Sequence, residues 1–270
     1  MEKLSINEVK KTIESTAGAG FTDWKIRAGE MGNKLLLNTL KNLDREPAND
    51  GRNAHHVILD KLKELNLPTE DCLFIELKDF LDDPYEKLEK IPSGDYYFTS
   101  IEPGKHLANT KNKQDVIDFV RSYYEDLLPE QQNEYKQIFI SHNGDAVMSG
   151  HIIVSNDGMP NSLYAEFTVG NFNAFHRGFT SPEIILEREY KNQWSFCGQL
   201  DPGNEDWRTL EEFDCAGDFK MSRLIMAELI NQSIIHLPQD DGNILPGTYE
   251  VLFERKYENQ ISPVFIEAVV

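Results

Sequence analysis

The hydrophobic positions of the chain follow two different periods, and helical spacing comes first. Ser5-Ile6-Asn7-Glu8 has the order of a capping box, which predicts a helix from there to about Thr16. Apolar residues three and four positions apart predict a second helix over residues 54–65 and a longer one over residues 113–128. Apolar stripes of this kind usually cover a core, so we expect these helices to pack on the rest of the protein.

From Gly94 onward, β-branched and aromatic residues form runs that have the length of strands. Asn143-Gly144 separates two such runs and predicts a β-hairpin. Another helix is predicted over residues 221–235, and the two strands that follow it are expected to pair. Because helices and strands show no regular βαβ rhythm, the predicted fold class is α+β. The predicted strands are 72–77, 96–99, 138–141, 146–155, 163–168, 183–189, 193–197, 249–255 and 264–269.

The charge balance is strongly acidic, which limits the kinds of partner. The chain has 27 basic and 46 acidic residues and a formal net charge of −19. A field of this sign repels nucleic-acid phosphates and anionic membrane surfaces, so we expect neither nucleic acid nor a membrane as a partner. A solvated acidic surface is the simple interpretation of this charge, and a protein that mimics DNA is the alternative.

The sequence predicts a cytoplasmic protein. No apolar run approaches the roughly 18 to 20 residues that cross a bilayer. The N-terminal residues lack the basic and then apolar order of a signal peptide. Three cysteines, Cys72, Cys197 and Cys215, are too few and too scattered for a disulfide framework. None belongs to a C-x-x-C pair, so a structural zinc site is not expected.

Three segments in the second half of the chain carry a resemblance to a known family. Residues 148–154 read Met-Ser-Gly-His-Ile-Ile-Val, residues 163–167 read Leu-Tyr-Ala-Glu-Phe, and residues 177–183 read Arg-Gly-Phe-Thr-Ser-Pro-Glu. This order resembles the ATP-grasp domain of phosphoenolpyruvate synthase and pyruvate phosphate dikinase. In that family a Ser-Gly-Val strand and an acidic strand precede a glycine-rich turn and a Gly-x-x-x-Pro connection. Gly178 and Pro182 keep the last spacing, whereas the residues before them depart from the glycine-rich turn.

The resemblance implies a fold and a ligand. The fold would be ATP-grasp-like, with two lobes of mostly antiparallel sheets and flanking helices. The N-terminal lobe would cover residues 1–93 and the C-terminal lobe residues 94–270. The ligands would be ATP and Mg2+, and Ser149 and Glu166 would contact the nucleotide.

The same family places an acidic residue and a Gln near magnesium, on two successive strands at the end of its ATP-grasp domain. Glu250 and Glu267 occupy those places here, with a carboxylate instead of the Gln. Magnesium prefers oxygen ligands, usually one or two carboxylates together with nucleotide phosphates. Facing strands can direct two such side chains at one point, so Glu250 and Glu267 are the predicted metal ligands. Glu254 is an alternative to Glu250, and a pair of surface glutamates on an edge hairpin is the alternative to a metal site.

The resemblance also implies basic residues that offset the phosphate charge. Gly32-Asn33-Lys34 resembles part of the family's Gly-Gly-Lys-Gly entry segment, where Lys34 would approach the nucleotide. A simple helix N-terminus is the alternative for that segment. Thr99 stands where the family carries a phosphate-binding Arg. Lys105, together with Lys34 or Arg27, would then supply the positive charge.

Other polar residues form no further catalytic pattern. His55 and His56 are adjacent and point in different directions on a helix, so they do not predict a shared metal. His151 and His176 could serve a pocket, but each stands alone, and a lone histidine is more often structural or exposed. Ser149 lacks the Gly-x-Ser-x-Gly elbow of a serine hydrolase.

Two functional hypotheses follow from the sequence. The first is a Mg-ATP-binding ATP-grasp-like protein, acting as an ATP-dependent phosphotransferase or ligase on a small-molecule or protein acceptor. The second is a catalytically degenerate member of the same fold that acts as a binding or interaction module. The missing Arg and the acidic charge favour the second hypothesis, whereas the paired acids and the Ser-Gly strand favour the first.

Overall fold

The computed structural model describes residues 52–91, 94, 96–102, 105–155, 162–170, 183–188, 195–196, 212–214, 220–255 and 260–270. Helices and antiparallel strands are both abundant in these ranges and do not alternate as βαβ units, so the predicted α+β class is confirmed. The helix predicted over residues 5–16 lies outside the described residues.

The helices in the described ranges have the following bounds. They are α1 (Ala54–Glu64), α2 (Leu77–Asp82), α3 (Pro84–Glu89), α4 (Lys113–Glu125) and α5 (Arg223–Ile234), with a short 3-10 turn at Gln131–Asn133. The three long helices α1, α4 and α5 lie where the hydrophobic spacing predicts them. The short helices α2 and α3 are absent from the sequence-based expectation.

The strands of the described ranges belong mainly to two sheets. They are β1 (Cys72–Glu76), β2 (Tyr96–Glu102), β3 (Lys105–Thr110), β4 (Gln137–Asn143), β5 (Asp145–Ser155), β6 (Ser162–Val169), β7 (Ile184–Arg188), β8 (Ser195–Phe196), β9 (Glu212–Asp214), β10 (Lys220–Ser222), β11 (Gln239–Asp240), β12 (Asn243–Ile244), β13 (Gly247–Arg255) and β14 (Ile261–Val269). Strand β3 was not predicted from the sequence.

The four-stranded sheet has the order β1-β4-β2-β3 and is antiparallel throughout. One of its faces packs on α2, α3 and α4, and the apolar stripe predicted for α4 lies in that core. Since full burial of one such side chain contributes about 1.5–3 kcal/mol, this core anchors the helices on the sheet. Its fully or almost fully buried members include Phe80, Val116, Ile117, Val120, Ile138 and Ile140.

The six-stranded sheet has the order β14-β13-β5-β6-β7-β8 and is also antiparallel. The predicted pairing of the last two strands, β13 and β14, is confirmed. One face of this sheet forms a core with α5, with α1 and with the segment that follows α1. Members of this core include Leu62, Ile152, Ala165, Phe167, Met226, Ile230, Tyr249, Val251, Phe253 and Phe265.

Helix α1 lies between the two sheets and joins them. His55 stacks on Phe139 of β4 with ring centroids 4.7 Å apart, and His56 stacks on Phe74 of β1 at 4.3 Å. About two turns further along, the helix places Leu62 in the core of the six-stranded sheet. The two adjacent histidines therefore act as packing groups against the four-stranded sheet.

Gly144 is the point at which the chain passes from one sheet to the other. Strand β4 pairs with β1 and β2, whereas β5 pairs with β13 and β6. The predicted hairpin at Asn143-Gly144 is therefore wrong. A Cβ atom at Gly144 would lie 2.6 Å from the carbonyl oxygen of Arg255. Glycine is needed here because two backbones approach closely, and not because a tight turn joins paired strands.

The predicted division after residue 93 falls within the four-stranded sheet. Strand β1, on its N-terminal side, pairs along its whole length with β4. The strands of the four-stranded sheet thus lie within residues 72–143, and those of the six-stranded sheet lie within residues 145–196 and 247–269. Among the described helices, none has the length and apolar character needed to cross a membrane.

Candidate functional site

Four ionisable side chains lie side by side across the six-stranded sheet. Glu267 on β14 is directly opposite Glu250 on β13, and Glu250 is directly opposite His151 on β5. His151 is in turn opposite Glu166 on β6. Directly opposed residues of antiparallel strands place their side chains on the same face, about 4.5–5.5 Å apart at Cβ. We call this line of Glu166, His151, Glu250 and Glu267 the acidic row.

The acidic row lies on the face of the sheet that does not form the apolar core. His151 and Glu166 are fully buried, Glu250 is 8% exposed, and Glu267 is half-buried. Other buried polar residues on the same face are Ser149, Tyr164, Thr168, Thr248 and Glu254. Burying so many polar groups is costly unless they are paired or serve a ligand, which makes this face the candidate functional site.

Within the row, His151 and Glu250 are in hydrogen-bond contact. The Nε2 atom of His151 lies 3.1 Å from Oε1 of Glu250. When Glu250 is ionised, its carboxylate only accepts hydrogen bonds, and Nε2–H of His151 is then the donor. The imidazole therefore engages one oxygen of Glu250 from the side of β5, while Glu267 lies on the other side.

A β-bulge lies beside the pair of carboxylates. The register of β13 with β14 shifts after Glu250, so that Val251 is opposite Phe265 and Ile266 is the extra residue. Bulges bend a strand and change the direction of neighbouring side chains, and they are frequent next to active sites. Here the bulge lies directly beside the opposed pair of Glu250 and Glu267.

Gly150 allows β5 and β6 to approach each other next to the row. A Cβ atom at this position would lie 2.2 Å from the carbonyl oxygen of Glu166 and 2.5 Å from the ring of Phe167. Any side chain here would push the two strands apart. The Ser-Gly sequence on which the family resemblance rests therefore has a packing reason in this fold.

Ser149, predicted to contact the nucleotide, is buried and closes a turn. Its hydroxyl donates a hydrogen bond to the carbonyl oxygen of Gly170 at 2.8 Å. Gly170 has a φ of 76°, and its N–H donates to the carbonyl oxygen of Val147 at 2.9 Å. The serine proton is thus used to hold the end of β6 against β5.

The predicted basic residues lie away from the row or outside the described residues. Lys105 is exposed at the start of β3, an edge strand of the other sheet, opposite Glu102 of β2. Lys34 and Arg27 lie outside the described residues.

Thr99 occupies a core position. It is fully buried, and its partner on β4 is Ile140, which belongs to the core under α4. An Arg at this position would extend into that helix layer, away from α1. Thr99 therefore does not mark a phosphate-binding position that this chain has lost by a simple substitution.

Glu254, the alternative metal ligand, lies four residues beyond Glu250 on the same face of β13. It is buried and stands opposite Ser262 of β14 and Ala146 of β5. At about 3.3 Å per residue it is about 13 Å from Glu250 along the strand. Only Glu250 is aligned with Glu267.

The chemistry of the donor set suits a hard divalent cation with part of its coordination supplied by a ligand. Within the described ranges, no group of three His, Cys, Asp or Glu side chains is close enough to hold a metal ion. Two opposed carboxylates are the donor set with which proteins usually hold Mg2+ when nucleotide phosphates and water complete the shell. Glu250 and Glu267 fit this partial role.

Comparison with known proteins gives only distant structural likeness. No family model and no curated protein matches this sequence. The D-alanine-D-alanine ligase from Coxiella burnetii is 12% identical with a TM-score of 0.37, and the match covers 89% of this chain and 55% of that chain. D-alanyl-alanine synthetase A from Vibrio cholerae is 10% identical with a TM-score of 0.37, covering 90% and 63%. The L-amino acid ligase from Bacillus licheniformis is 13% identical with a TM-score of 0.35, covering 97% and 51%.

These three proteins are named as two ligases and a synthetase. The chain spans only 51–63% of their lengths. At 10–13% identity and TM-scores of 0.35–0.37, the likeness assigns neither a fold family nor an activity to this chain.

The alignment of His151 with Glu166 and Glu250 was not predicted from the sequence. The histidine stands alone there, because these two residues are 15 and 99 positions away along the chain. The signal that could have found it is the alternation along β5, where Ser149 and His151 interrupt an otherwise apolar strand on one face. Two polar residues two positions apart in a strand share a face, and a buried polar face needs a reason.

Proposed function

We propose that this protein binds a Mg2+–nucleotide, ATP or ADP, at the acidic row, with Glu250 and Glu267 as the metal carboxylates. The observation that carries the proposal is the direct opposition of these two carboxylates inside a buried polar face. Glu250 and Glu267 would hold the metal, which would offset the negative charge of the nucleotide phosphates. The resemblance to the ATP-binding domain of phosphoenolpyruvate synthase supports the same assignment.

The phosphate groups would need positive charge, since the chain has a net charge of −19. Lys34, which lies outside the described residues, and Lys105, on the edge strand β3 of the four-stranded sheet, are the proposed sources. Glu166 would lie at the opposite end of the row from the metal carboxylates and contact the nucleotide. The hydroxyl of Ser149, which donates to the carbonyl oxygen of Gly170, would help to shape the site.

If the protein is catalytic, the proposed reaction is transfer of the γ-phosphoryl group to an acceptor such as a carboxylate. The acceptor oxygen forms a bond to phosphorus while the bond to the bridging oxygen breaks, and ADP leaves. In such reactions the protein contributes mainly positioning and charge stabilisation. The acceptor would be a small molecule or a protein side chain.

A second candidate is a catalytically degenerate module that keeps the fold and binds a partner without nucleotide. The contact between His151 and Oε1 of Glu250 favours it, because a carboxylate held by an imidazole can be satisfied without a metal. In that case the acidic row is a buried polar network that specifies the packing of this face.

Calorimetric titration with ADP and ATP, each with and without Mg2+, separates the two candidates. The parent is compared with a Glu250→Ala/Glu267→Ala double variant. The matched control is Glu86→Ala/Glu89→Ala on the exposed surface of α3, which changes the net charge by the same amount. The proposal expects Mg2+-dependent binding in the parent and control and at least about a tenfold loss in the double variant.

Absence of binding by the parent at millimolar nucleotide would reject the nucleotide proposal and leave the degenerate module. Binding that requires no Mg2+ and survives the double substitution would reject the assignment of the two carboxylates.

A further inference from the structure

His151 is the one member of the acidic row to which the proposed function assigns no task. It is fully buried, with Glu250 on the neighbouring strand β13 and Glu166 on the neighbouring strand β6. The family whose order of segments this chain resembles has an apolar residue after the Ser-Gly pair. Histidine at this position is a departure that places an imidazole beside a predicted metal carboxylate.

The direction of the hydrogen bond defines what this imidazole can do. Nε2 of His151 lies 3.1 Å from Oε1 of Glu250. With Glu250 ionised, as a ligand of Mg2+ must be, Nε2–H is the donor. Glu250 has a second oxygen, Oε2, and its other neighbour across the sheet is Glu267. Fixing one oxygen on the β5 side limits the rotation of the carboxylate.

We propose that His151 is a positioning residue that holds Glu250 in the orientation needed to share a Mg2+ ion with Glu267. The inference rests on the proposed nucleotide function and deepens it. His151 does not bind the metal itself. It acts through Glu250, as the hydrogen-bond partners of ligating carboxylates commonly do in metal sites.

Three features of the row support this task. The imidazole is fully buried and packed in a strand interior, so its own orientation is well defined. The β-bulge after Glu250 lies on the opposite side, in β14 next to Glu267. Close approach of β5 and β6 at Gly150 holds the strand next to His151 in a fixed position. The carboxylate of Glu250 is thus held on the β5 side before any ligand binds.

The test compares His151→Met and His151→Gln in the full chain. Methionine fills a similar volume but donates no hydrogen bond, whereas glutamine keeps an N–H donor at a similar reach. The control is Ile153→Val, two residues along β5 on the same face and equally buried. ADP binding is titrated with and without Mg2+, and thermal melting is recorded for each metal-free protein.

The inference expects His151→Met to weaken Mg2+-dependent ADP binding about 10–100-fold, the usual effect of losing such a partner. Binding without Mg2+ should stay within about twofold of the parent, and His151→Gln should recover most of the loss. Ile153→Val should leave both affinities unchanged. The difference between the Met and Gln variants is a readout that a purely structural histidine would not produce.

A lower melting temperature of His151→Met with unchanged Mg2+-dependent affinity would overturn the inference and leave the proposed function intact. No ADP binding by the parent would overturn both. The two failures are therefore distinguishable in one set of titrations.

If His151→Met does not fold, an NMR measurement on the parent protein still tests the inference. The Nε2–H signal of His151 in 15N-resolved NMR should be protected from solvent exchange, unlike that of exposed His236. Mg·ADP should shift this signal, whereas ADP without Mg2+ should not. Binding of Mg·ADP that leaves the His151 signal unmoved would overturn the inference.

Discussion

Glu250 and Glu267 lie directly opposite each other on β13 and β14, and the register of the two strands shifts immediately after this pair. The opposition brings two carboxylates within reach of one cation. Glu254 is on the same strand and face as Glu250, but its partner on β14 is Ser262 and not a carboxylate. Substitutions of the two glutamates of β13 are therefore expected to have different effects on nucleotide binding.

Substitution of Glu250 by Gln should weaken Mg2+-dependent nucleotide binding by at least about tenfold, because a neutral amide is a poor ligand for a hard cation. Glu254→Gln should leave the affinity within about twofold, because its side chain is about 13 Å away along the strand. Isothermal titration with Mg·ADP measures both. Equal losses in the two variants would contradict the alignment of Glu250 with Glu267 as the basis of the site.

Gly150→Ala should destabilise the protein by at least about 2–3 kcal/mol, the upper part of the usual cost of overpacking. The added Cβ would lie 2.2 Å from a backbone carbonyl oxygen and 2.5 Å from the ring of Phe167, and backbone cannot move away cheaply. Urea denaturation measures the change in the free energy of unfolding.

Gly242→Ala is the control for this substitution. Gly242 has a φ of 79° and open space around it, so alanine there meets only the left-handed backbone penalty of about 1–2 kcal/mol. A smaller loss of stability at Gly150 than at Gly242 would show that β5 and β6 can separate without cost.

Glu70→Gln should stabilise the protein at neutral pH and flatten its dependence on pH. Burial raises the pKa of Glu70, although hydrogen bonds with Ser141 and Asn143 act in the opposite direction. A raised pKa means that the folded state holds the proton more tightly than the unfolded state. The associated stability is full below the ordinary value of 4.5 and is lost as the pH rises through the folded pKa.

Melting temperatures between pH 4 and pH 8 test the role of Glu70, with exposed Glu64→Gln on α1 as the control. The parent and the control should lose stability over the same rising range of pH, and Glu70→Gln should lose less. Parallel curves for all three proteins would show that the carboxyl of Glu70 ionises without cost in the folded state.

Asn53→Ser should cost about 1–3 kcal/mol, the penalty for leaving buried acceptors without a donor. The side chain of Asn53 has two tasks. Its Oδ1 caps α1 by accepting from the N–H of His55 at 3.0 Å. Its Nδ2 donates to the carbonyl oxygens of Ser100 at 2.9 Å and Ile101 at 3.2 Å on β2. Serine keeps the cap but cannot supply the second set of bonds.

The matched control for the substitution of Asn53 is Asn112→Ser. Asn112 caps α4 in the same way, accepting from the N–H of Gln114 at 3.0 Å, but it is exposed. Its replacement should change the free energy of unfolding by no more than about 0.5 kcal/mol. Equal effects in urea denaturation would mean that Asn53 contributes only its cap.

Much of the secondary structure could be predicted from the sequence, because it depends on local spacing. The apolar stripe of α4 and the paired strands β13 and β14 lie where the pattern indicates. The short helices α2 and α3 could not be predicted, since each is six residues long and has too few turns to show a period. Asn143-Gly144 misled the prediction, because a glycine needed for close backbone approach looks the same in sequence as a glycine of a hairpin turn.

Part of the candidate site could likewise be predicted from the sequence, and part of it could not. The sequence by itself determined that Glu250 and Glu267 could meet, because a short connection between two strands brings neighbouring segments into register. Only the tertiary structure decided that His151 and Glu166 extend the same row. Their alignment depends on the register of β5 with β13 and of β5 with β6. A shift of one residue in either register would move a side chain to the other face, and no local pattern in the sequence fixes a pairing between strands so far apart.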